Sequence, residues 1–453
     1  MLDQGFNARN FKRIFDIENR RGRNLEEFFA KKSPGFEKLR ELTLEIKQAR
    51  AKRDSARHAF HIEASVENKA ALSDADKHLM ALKDKKDNNL DEELNRIASS
   101  IVSNPRVLSL VKRTGPNNKD VYLSDGSPET FFIEKQLQNN IARLYRVKQA
   151  NRDEVVSQVI GFVSGDLPLW GLRIDIQNFY ESIDQRAIIR KLKEDQLLDS
   201  PSVRFIQQIL FSYRQLSQSD LGIPRGNGIS AYLSELYMRS LDKELMGLDN
   251  LLYCGRYVDD IILLFIKTPE SSQEIILKQV TAAVESRELA LNTEKTKPFD
   301  TSIPSGCKFS FLGYDFTVKS GNCLVDISYN KFKKLEDRLL RSFAACLDSH
   351  PRKAKAATKL LEMRVKYLTT NTRLFNTKSN AYVGVYYSHR HVNKPDRFTG
   401  LDFVLSHQIS KIADARIRLR LAKQSFVNGF NEQRYSYFTA QEFTKIVRLW
   451  KYD

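Results

Sequence analysis

The sequence predicts an α+β fold in which an antiparallel sheet packs against helices on one face. Between residues 170 and 297 the hydrophobic pattern gives, in chain order, a strand, helices, two strands, a helix and a strand. That order is the split βαβ arrangement. The first hundred residues and the segment beyond residue 330 instead carry helical periodicity and many charges. The length of 453 residues leaves room for two to four packed units.

The charge, the length of the apolar runs and the cysteine spacing exclude several classes of protein. The chain has 73 Lys and Arg against 56 Asp and Glu, a formal net charge of +17, which favours phosphate-bearing partners and argues against a cationic substrate. The longest apolar run, Ile261–Ile266, is far shorter than the roughly 18 residues of a membrane span. The four cysteines form no Cys-x-x-Cys pair, and Met1–Gly5 lacks an apolar leader. We therefore expect a cytoplasmic protein with no zinc site or disulfide framework.

The N-terminal region is predicted to be helical. After the break at Ser33-Pro34-Gly35, apolar residues recur every three or four positions and form one stripe. The stripe consists of Leu39, Leu42, Ile46 and Ala49. A second helix is expected to start at Ser73. Further along, 108–113 and 119–123 flank the turn-forming residues 115–118, which predicts a hairpin.

Helix starts can be read at three places. Ser127-Pro128-Glu129 provides a cap, a first-turn proline and an acid, and Asn151 with Glu154 resembles a capping box. Thr268-Pro269-Glu270 is expected to cap a helix that runs to about Ala290. The other elements predicted in this region are helices at 185–196 and 202–214, a Gly-rich loop at 222–228 and a helix to about 246.

The predicted strands end in acidic residues. The aliphatic residues of Leu172–Ile176 share one face, and Asp175 lies near the strand's end. Leu251–Tyr257 and Asp260–Ile266 form a hairpin whose turn contains Val258 and Asp259. Short strands are also expected at 290–297 and in a hairpin of 309–318 that turns at 320–322.

Converging carboxylates at these strand ends would form a metal site. If the two strands are neighbours, their ends lie about 5 Å apart. Two divalent cations about 4 Å apart would relieve the repulsion and clamp the attacking and leaving oxygens of a phosphoryl transfer. Mg²⁺ suits such a site because it shares its ligand shell with substrate phosphates. An Asp-Asp turn alone is more often a solvated turn, so the inference depends on the combination of Asp175 with Asp259 and Asp260.

Five ordered motifs resemble those of reverse transcriptases. They are Asp175–Ile183, Gly222–Ser230, Tyr257–Asp260, Leu291–Thr296 and Phe311–Tyr314. The resemblance implies a right-hand polymerase with a split βαβ palm, fingers, a helical thumb and a helical N-terminal extension. The implied domains are 1–100 (extension), 101–169 (fingers), 170–305 (palm, with part of the fingers at 185–220), 306–329 (primer-grip hairpin) and 330–453 (thumb).

The resemblance also implies roles for individual residues. Asp175, Asp259 and Asp260 would be catalytic and, with Ile176, would hold two Mg²⁺ ions, for which Mn²⁺ could substitute. The implied nucleotide-binding residues are Tyr180, Arg225, Gly226, Lys295, Arg143, Arg146, Lys148 and Arg152. Tyr180 would block a ribose 2′-hydroxyl. The implied primer-grip residues are Phe311, Leu312, Gly313 and Tyr314. Arg225 departs from the family, which most often has Gln there.

The implied function is RNA-directed DNA polymerisation. Deoxynucleotides would be added to a primer on an RNA template, giving a DNA product. The charged helical leader and short helical C-terminus are similar to the bacterial defence-associated enzymes, in particular the first enzyme of the paired type 3 systems. That similarity implies a dedicated noncoding RNA, a companion reverse transcriptase, a higher oligomer and no membrane. An RNA-dependent RNA polymerase and a palm-derived RNA-binding scaffold remain alternatives.

Overall fold

The computed structural model describes residues 2–103, 108–115, 118–349, 354–374 and 381–450. Its helices are α1 Ala8–Arg20, α2 Leu25–Phe29, α3 Pro34–Ile62, α4 Val66–Ser103, α5 Pro128–Leu144, α6 Arg152–Val163, α7 Phe179–Ser182, α8 Gln185–Asp195, α9 Ser200–Ser217, α10 Ser230–Met246, α11 Gln273–Glu285, α12 Tyr329–Leu347, α13 Ala354–Thr369, α14 Asp396–Ser410, α15 Ala415–Leu421, α16 Phe426–Asn431 and α17 Ala440–Val447. Its strands are β1 Leu110–Thr114, β2 Asp120–Ser124, β3 Leu169–Asp175, β4 Leu251–Tyr257, β5 Asp260–Ile266, β6 Lys297–Asp300, β7 Cys307–Phe311, β8 Tyr314–Lys319, β9 Asn322–Ile327, β10 Asn371–Arg373 and β11 Tyr382–Gly384. Within these ranges no helix has both the length and the apolar character of a membrane span.

The N-terminal region is helical, as predicted. The stripe on α3 is buried, and Pro34 occupies the helix's first turn. The predicted start of the next helix at Ser73 is wrong, because α4 begins at Val66. Its start is set by Ser65, whose hydroxyl accepts a hydrogen bond from the Asn68 amide at 3.1 Å. Ser65 therefore acts as the cap for this helix.

The central sheet has the strand order β4-β5-β3-β6, and all its pairs are antiparallel. Side chains of β5 alternate between two cores. Ile261, Leu263 and Phe265 join a core with α8, α9 and α10, whereas Ile262 and Leu264 join one with α6 and helices beyond residue 330. The prediction that helices cover one face only is therefore wrong. Both faces of the sheet are buried, which makes β5 a continuous apolar run.

Two predicted boundaries near the last strand of this sheet are also wrong. Helix α11 is capped by Ser272, not by the residues at 268–270, and it ends at Glu285. Strand β6 begins at Lys297, while the preceding chain contributes only a single bridge between Leu291 and Ile176. The polar residues 292–296 therefore form a turn beside Asp175 instead of a strand.

The segment after the central sheet is a three-stranded meander, not the single hairpin that was expected. Strands β7, β8 and β9 pair in order, with turns at Leu312–Gly313 and at Ser320–Gly321. The hairpin predicted at 108–123 is confirmed as β1 paired with β2, although residues 116 and 117 of its turn lie outside the described residues. Beyond residue 330 the described chain is mainly helical, as predicted.

Candidate active site

The predicted acidic strand ends lie side by side. Strands β3 and β5 are neighbours, and Asp175 is the register partner of Asp260. Directly opposed residues of an antiparallel pair have Cα atoms about 4.5–5.5 Å apart. Asp259 lies in the β4–β5 turn next to Val258, which has a φ of 62°. Positive φ is rare for a β-branched residue, so the surrounding contacts must hold this turn in place.

The three carboxylates influence one another electrostatically. Asp175 is only 5% exposed. Burial raises the pKa of Asp259, and the charges of Asp260 and Asp175 raise it further. Burial also raises the pKa of Asp260, although Arg173 opposes the shift. Negative charge is thus concentrated at this point of the sheet, and a cation would stabilise it.

Two basic side chains partly neutralise this charge. The Lys295 ammonium lies 3.2 Å from both oxygens of Asp175. The Arg173 guanidinium donates to Asp260 at 3.2 Å. The turn at 292–296 positions Lys295, since the Asn292 amide donates to the Asp175 carbonyl oxygen at 2.8 Å. The motif at 291–296 predicted that Lys295 lies near this site. No pattern in the sequence indicates that the Lys295 ammonium pairs with Asp175.

The oxygen atoms of these carboxylates are the type of ligand that Mg²⁺ prefers. Carboxylate oxygens are hard ligands, and Mg²⁺ is usually held by one or two carboxylates plus substrate phosphates. Among the described residues no three His, Cys, Asp or Glu side chains form a ready ligand cluster. The Ile176 side chain is a hydrocarbon with no donor atom, so only its backbone carbonyl oxygen could be a ligand.

Arg256 links the β4–β5 turn to helix α10, a role that the sequence did not predict. Its guanidinium donates to Asp242 at 2.7 Å and to Glu235 at 2.8 Å, both on α10. It also donates to the carbonyl oxygen of Val258 at 3.2 Å. The strained turn is therefore anchored to a helix. The only signal in the sequence is a basic residue at the end of an otherwise apolar strand.

Tyr180 and Arg225 meet beside the carboxylates. Burial raises the pKa of the Tyr180 hydroxyl, and the negative charge of Asp259 raises it further. The Arg225 guanidinium lies 5.3 Å from the centre of the Tyr180 ring. It also donates to both carboxylate oxygens of Glu181 at 3.0 Å. The two predicted nucleotide-binding residues are thus brought together, with Arg225 held over the aromatic face.

The Gly-rich loop is held by the β1–β2 hairpin. Gly226 has a φ of +91°, and a Cβ there would lie 3.2 Å from Val121. The amide of Tyr122 donates to the Arg225 carbonyl oxygen at 2.7 Å. Asn227 donates to Glu134 at 2.6 Å. Burial raises the pKa of Glu134. Glu134 is a second positioning residue that the sequence reasoning missed, because its partner lies 93 residues away.

The basic residues predicted in the fingers are not gathered at this site. Arg143, Arg146 and Lys148 are exposed, and no hydrogen bond or ion pair among the described residues links them to the carboxylates. Arg152 instead donates to the Leu312 carbonyl oxygen at 3.1 Å. Its guanidinium also lies 4.8 Å from the Tyr314 ring centre. A triphosphate could recruit Arg152 only by breaking these contacts.

The predicted primer-grip turn presents mainly its backbone. Phe311, Leu312 and Tyr314 are buried, and Gly313 forms the tip with a φ of +75°. Lys331 packs against this turn with its ammonium 4.8 Å from the Tyr314 ring centre. Burial, with a contribution from the positive charge of Arg152, lowers the pKa of Lys331 to about 7. No pattern in the sequence indicates this lysine's environment.

Comparison with protein families gives one match. Residues 134–316 match the family described as reverse transcriptase (RNA-dependent DNA polymerase). The matched segment contains the three carboxylates, Lys295 and the turn at 311–314. That segment is similar to a reverse transcriptase domain. The match covers 183 of the 453 residues and, with the mixed helix and sheet structure, confirms the expected right-hand polymerase fold. No curated protein sequence matches the chain significantly.

Solved telomerase structures are among the matches, but only distantly. Apo telomerase from Candida tropicalis, truncated from its C-terminal domain, is 13% identical with a TM-score of 0.31; the match covers 51% of this chain and 60% of that one. Candida albicans telomerase in complex with a TWJ fragment of telomeric RNA is 12% identical with a TM-score of 0.34, covering 75% and 64%. Apo Candida tropicalis telomerase is 14% identical with a TM-score of 0.36, covering 70% and 52%. At these scores the similarity carries no argument about function.

Proposed function

We propose that the protein is an RNA-directed DNA polymerase that adds deoxynucleotides to a primer on an RNA template. One observation carries the proposal. Asp175 and Asp260 are register partners on neighbouring strands, with Asp259 in the adjoining turn, inside the reverse transcriptase domain. This is the charge arrangement that in-line phosphoryl transfer requires, since catalysis depends on positioning and on stabilising developing negative charge.

Magnesium would be held by Asp175, Asp259, Asp260 and the carbonyl oxygen of Ile176, with Mn²⁺ as a possible substitute. When bound, the ions would neutralise charge on the nucleotide phosphates and lower the pKa of the primer hydroxyl. Lys295 would leave Asp175 and contact the departing pyrophosphate, to which it could donate a proton. Arg173 would remain on Asp260 and restrict that carboxylate to a secondary role.

We further propose that Tyr180 selects deoxynucleotides. Its ring contacts Phe179, whose ring centre is 5.4 Å away, and the Arg225 guanidinium, which lies 5.3 Å from the Tyr180 ring centre. These two contacts would oppose rotation of the ring away from an added hydroxyl group. Replacing Tyr180 by Ala should therefore increase ribonucleotide incorporation relative to deoxynucleotide incorporation, measured as the ratio of kcat/KM values. An unchanged ratio would contradict this role.

The template proposed for this enzyme is a dedicated noncoding RNA used in bacterial antiphage defence in the cytoplasm. The net charge of +17 and the basic helical regions outside the polymerase segment support RNA binding. The defence role, the companion reverse transcriptase, the higher oligomer and the proposed domain boundaries rest on the sequence resemblance alone. Sequencing the nucleic acid that copurifies with the protein would test the template, and plaque counts with and without the gene would test defence.

Primer extension tests the activity directly. The full chain should extend a DNA primer annealed to RNA when supplied with deoxynucleotides and Mg²⁺. Replacing both Asp259 and Asp260 by Ala should abolish extension, whereas the exposed Asp249→Asn control should retain it. Extension with ribonucleotides in preference to deoxynucleotides would refute the proposal and favour an RNA-dependent RNA polymerase.

One observation favours a second candidate, an RNA-binding scaffold built on the polymerase fold. Asp175 and Asp260 are already paired with Lys295 and Arg173, as they would be if the site served a purely structural purpose. If the double alanine variant at 259 and 260 keeps its cellular phenotype while loss of the basic thumb region abolishes it, the scaffold is correct.

A further inference from the structure

A basic groove runs between α8 and α9, away from the carboxylates. It has a volume of about 560 Å³. Arg186, Arg190 and Lys193 line it from α8, and Gln207, Phe211 and Arg214 line it from α9. Each set follows the spacing i, i+4, i+7, so each forms a stripe on one face of its helix. The two stripes therefore face each other across a floor that includes Leu210.

The groove is positively charged and only weakly neutralised. Four of its side chains are cationic, and Asp220 is the one acid that lines it among the described residues. Asp220 lies 3.9 Å from Arg186 and 3.6 Å from Arg214, and all three side chains are well exposed. Such pairs contribute little energy and exchange readily. Arg190 and Lys193 have no ion pair within the described ranges.

An aromatic ring lies between the cations. Phe211 is 51% exposed, which is costly for so apolar a side chain. The Arg214 guanidinium lies 5.9 Å from its ring centre. A positive groove that tracks a backbone, with an exposed ring on which a base can stack, is the combination that binds single-stranded nucleic acid. An acidic peptide would satisfy the cations but would leave the ring without a matching flat partner.

The groove also adjoins the Gly-rich loop at residues 222–228. The Gln185 side chain donates a hydrogen bond to the Gly222 carbonyl oxygen at 2.7 Å. The backbones of Asp184 and Leu221 pair in an isolated antiparallel β-bridge. The end of the groove at Asp220 therefore leads into the Gly-rich loop that carries Arg225. The stripe from 186 to 193 is about 10 Å long, enough to follow a few nucleotides.

We infer that the groove between α8 and α9 binds a single-stranded segment of nucleic acid, with Arg190 and Lys193 on its phosphates and Phe211 against a base. The inference deepens the proposed function because the strand would reach the polymerase site through this groove. Its test involves no nucleotide addition, so its failure is distinguishable from failure of the polymerase proposal.

The test is binding of a 5′-fluorescein oligouridylate to the full chain, followed by anisotropy over a series of salt concentrations. Arg190→Gln combined with Lys193→Gln should reduce the slope of log K against log salt by about 0.7 for each cation that contacts a phosphate. Phe211→Ala should weaken binding at least about fivefold through lost stacking. An oligothymidylate of the same length, measured in parallel, shows whether the groove prefers RNA or accepts DNA; a loss with either strand supports the inference.

The matched control removes two other exposed cations without described ion pairs, Lys243 and Lys278, by the same change to Gln. It should leave the slope unchanged. Equal slopes for the groove variant and the control would overturn the inference, as would a Phe211→Ala variant with wild-type affinity. Preferential competition by a polyglutamate peptide over unlabelled oligouridylate would assign the groove to a protein partner instead. Equal thermal unfolding of the variants excludes loss of fold as the cause.

Discussion

Replacing Arg256 by Met tests how the turn that carries Asp259 is held. The substitution keeps an unbranched side chain of moderate length but removes the guanidinium. Four hydrogen bonds to Glu235 and Asp242 and one to the Val258 carbonyl would be lost. Two carboxylates on α10 would then remain together without their cation.

The expected loss of stability is large. The side chains of Arg256, Glu235 and Asp242 are 11%, 12% and 20% exposed. Removing one partner of a buried ion pair costs about 3–5 kcal/mol, because the remaining charge is left uncompensated. Since both carboxylates retain some contact with water, we expect the lower end, about 3 kcal/mol. Arg256→Lys keeps the charge but cannot fork between two carboxylates, so about 1–2 kcal/mol is expected.

Urea denaturation followed by circular dichroism measures the free energy of unfolding. Arg420→Met is the control, since its pair with Glu362 is more exposed and should contribute no more than about 1 kcal/mol. Arg256→Lys should also lower kcat for primer extension, because a looser turn displaces Asp259. If Arg256→Met and the Arg420 control differ from the wild type by the same small amount, the anchoring role assigned to Arg256 is incorrect.

Three further substitutions probe other parts of the site. Asp259→Asn should abolish primer extension yet raise the melting temperature by about 1–3 °C at pH 8. Burial raises the pKa of Asp259, so its negative charge destabilises the fold at pH values above that pKa. The increase in melting temperature should therefore disappear in acid. Lys331→Met should stabilise the fold by roughly 1–2 kcal/mol at pH 6. Burial lowers the pKa of Lys331 in the folded protein to about 7, below the ordinary 10.5. The charged ammonium therefore destabilises the fold fully below pH 7, and this cost decreases as the pH rises towards 10.5. Glu134→Ala should release Asn227 and cost about 1–3 kcal/mol while raising the KM for deoxynucleotides.

Each of these expectations has a contradicting result. A melting temperature of Asp259→Asn that stays above the wild type at low pH would show that charge is not the cause. For Lys331→Met, a stability gain that grows as the pH rises from 7 to 10 would show that burial does not penalise the charged ammonium. For Glu134→Ala, an unchanged KM together with lower stability would make the residue purely structural.

The elements nearest the chemistry were predictable because their signals are local. The bounds of β5 follow from an uninterrupted apolar run, and β4 is separated from it by a two-residue turn; the structure has both strands at the predicted residues. Asp175, Asp259 and Asp260 were identifiable because each follows or begins an apolar strand. That β3 pairs with β5 could only be assumed from the sequence, since strand order depends on contacts between distant segments.

The contacts that hold the site were not predictable. Arg256, Glu134 and Lys295 act through partners that a sequence pattern does not connect to them. The same limitation explains the errors at Ser65 and Ser272, where one of several nearby serines becomes the helix cap. Arg152 illustrates the reverse case, because a cation that resembled a phosphate ligand is occupied by the backbone of Leu312.

The hydrogen bond between Tyr122 and Arg225 joins residues more than a hundred positions apart and ties the β1–β2 hairpin to the loop beneath it. A displacement of β1 and β2 would therefore pull on the backbone that supports the Arg225 side chain. A bound molecule that moved these strands would change the position of that guanidinium over the Tyr180 ring without contacting it. Through this connection, a mutation in β1 or β2 could alter the contacts of Arg225 from a distance.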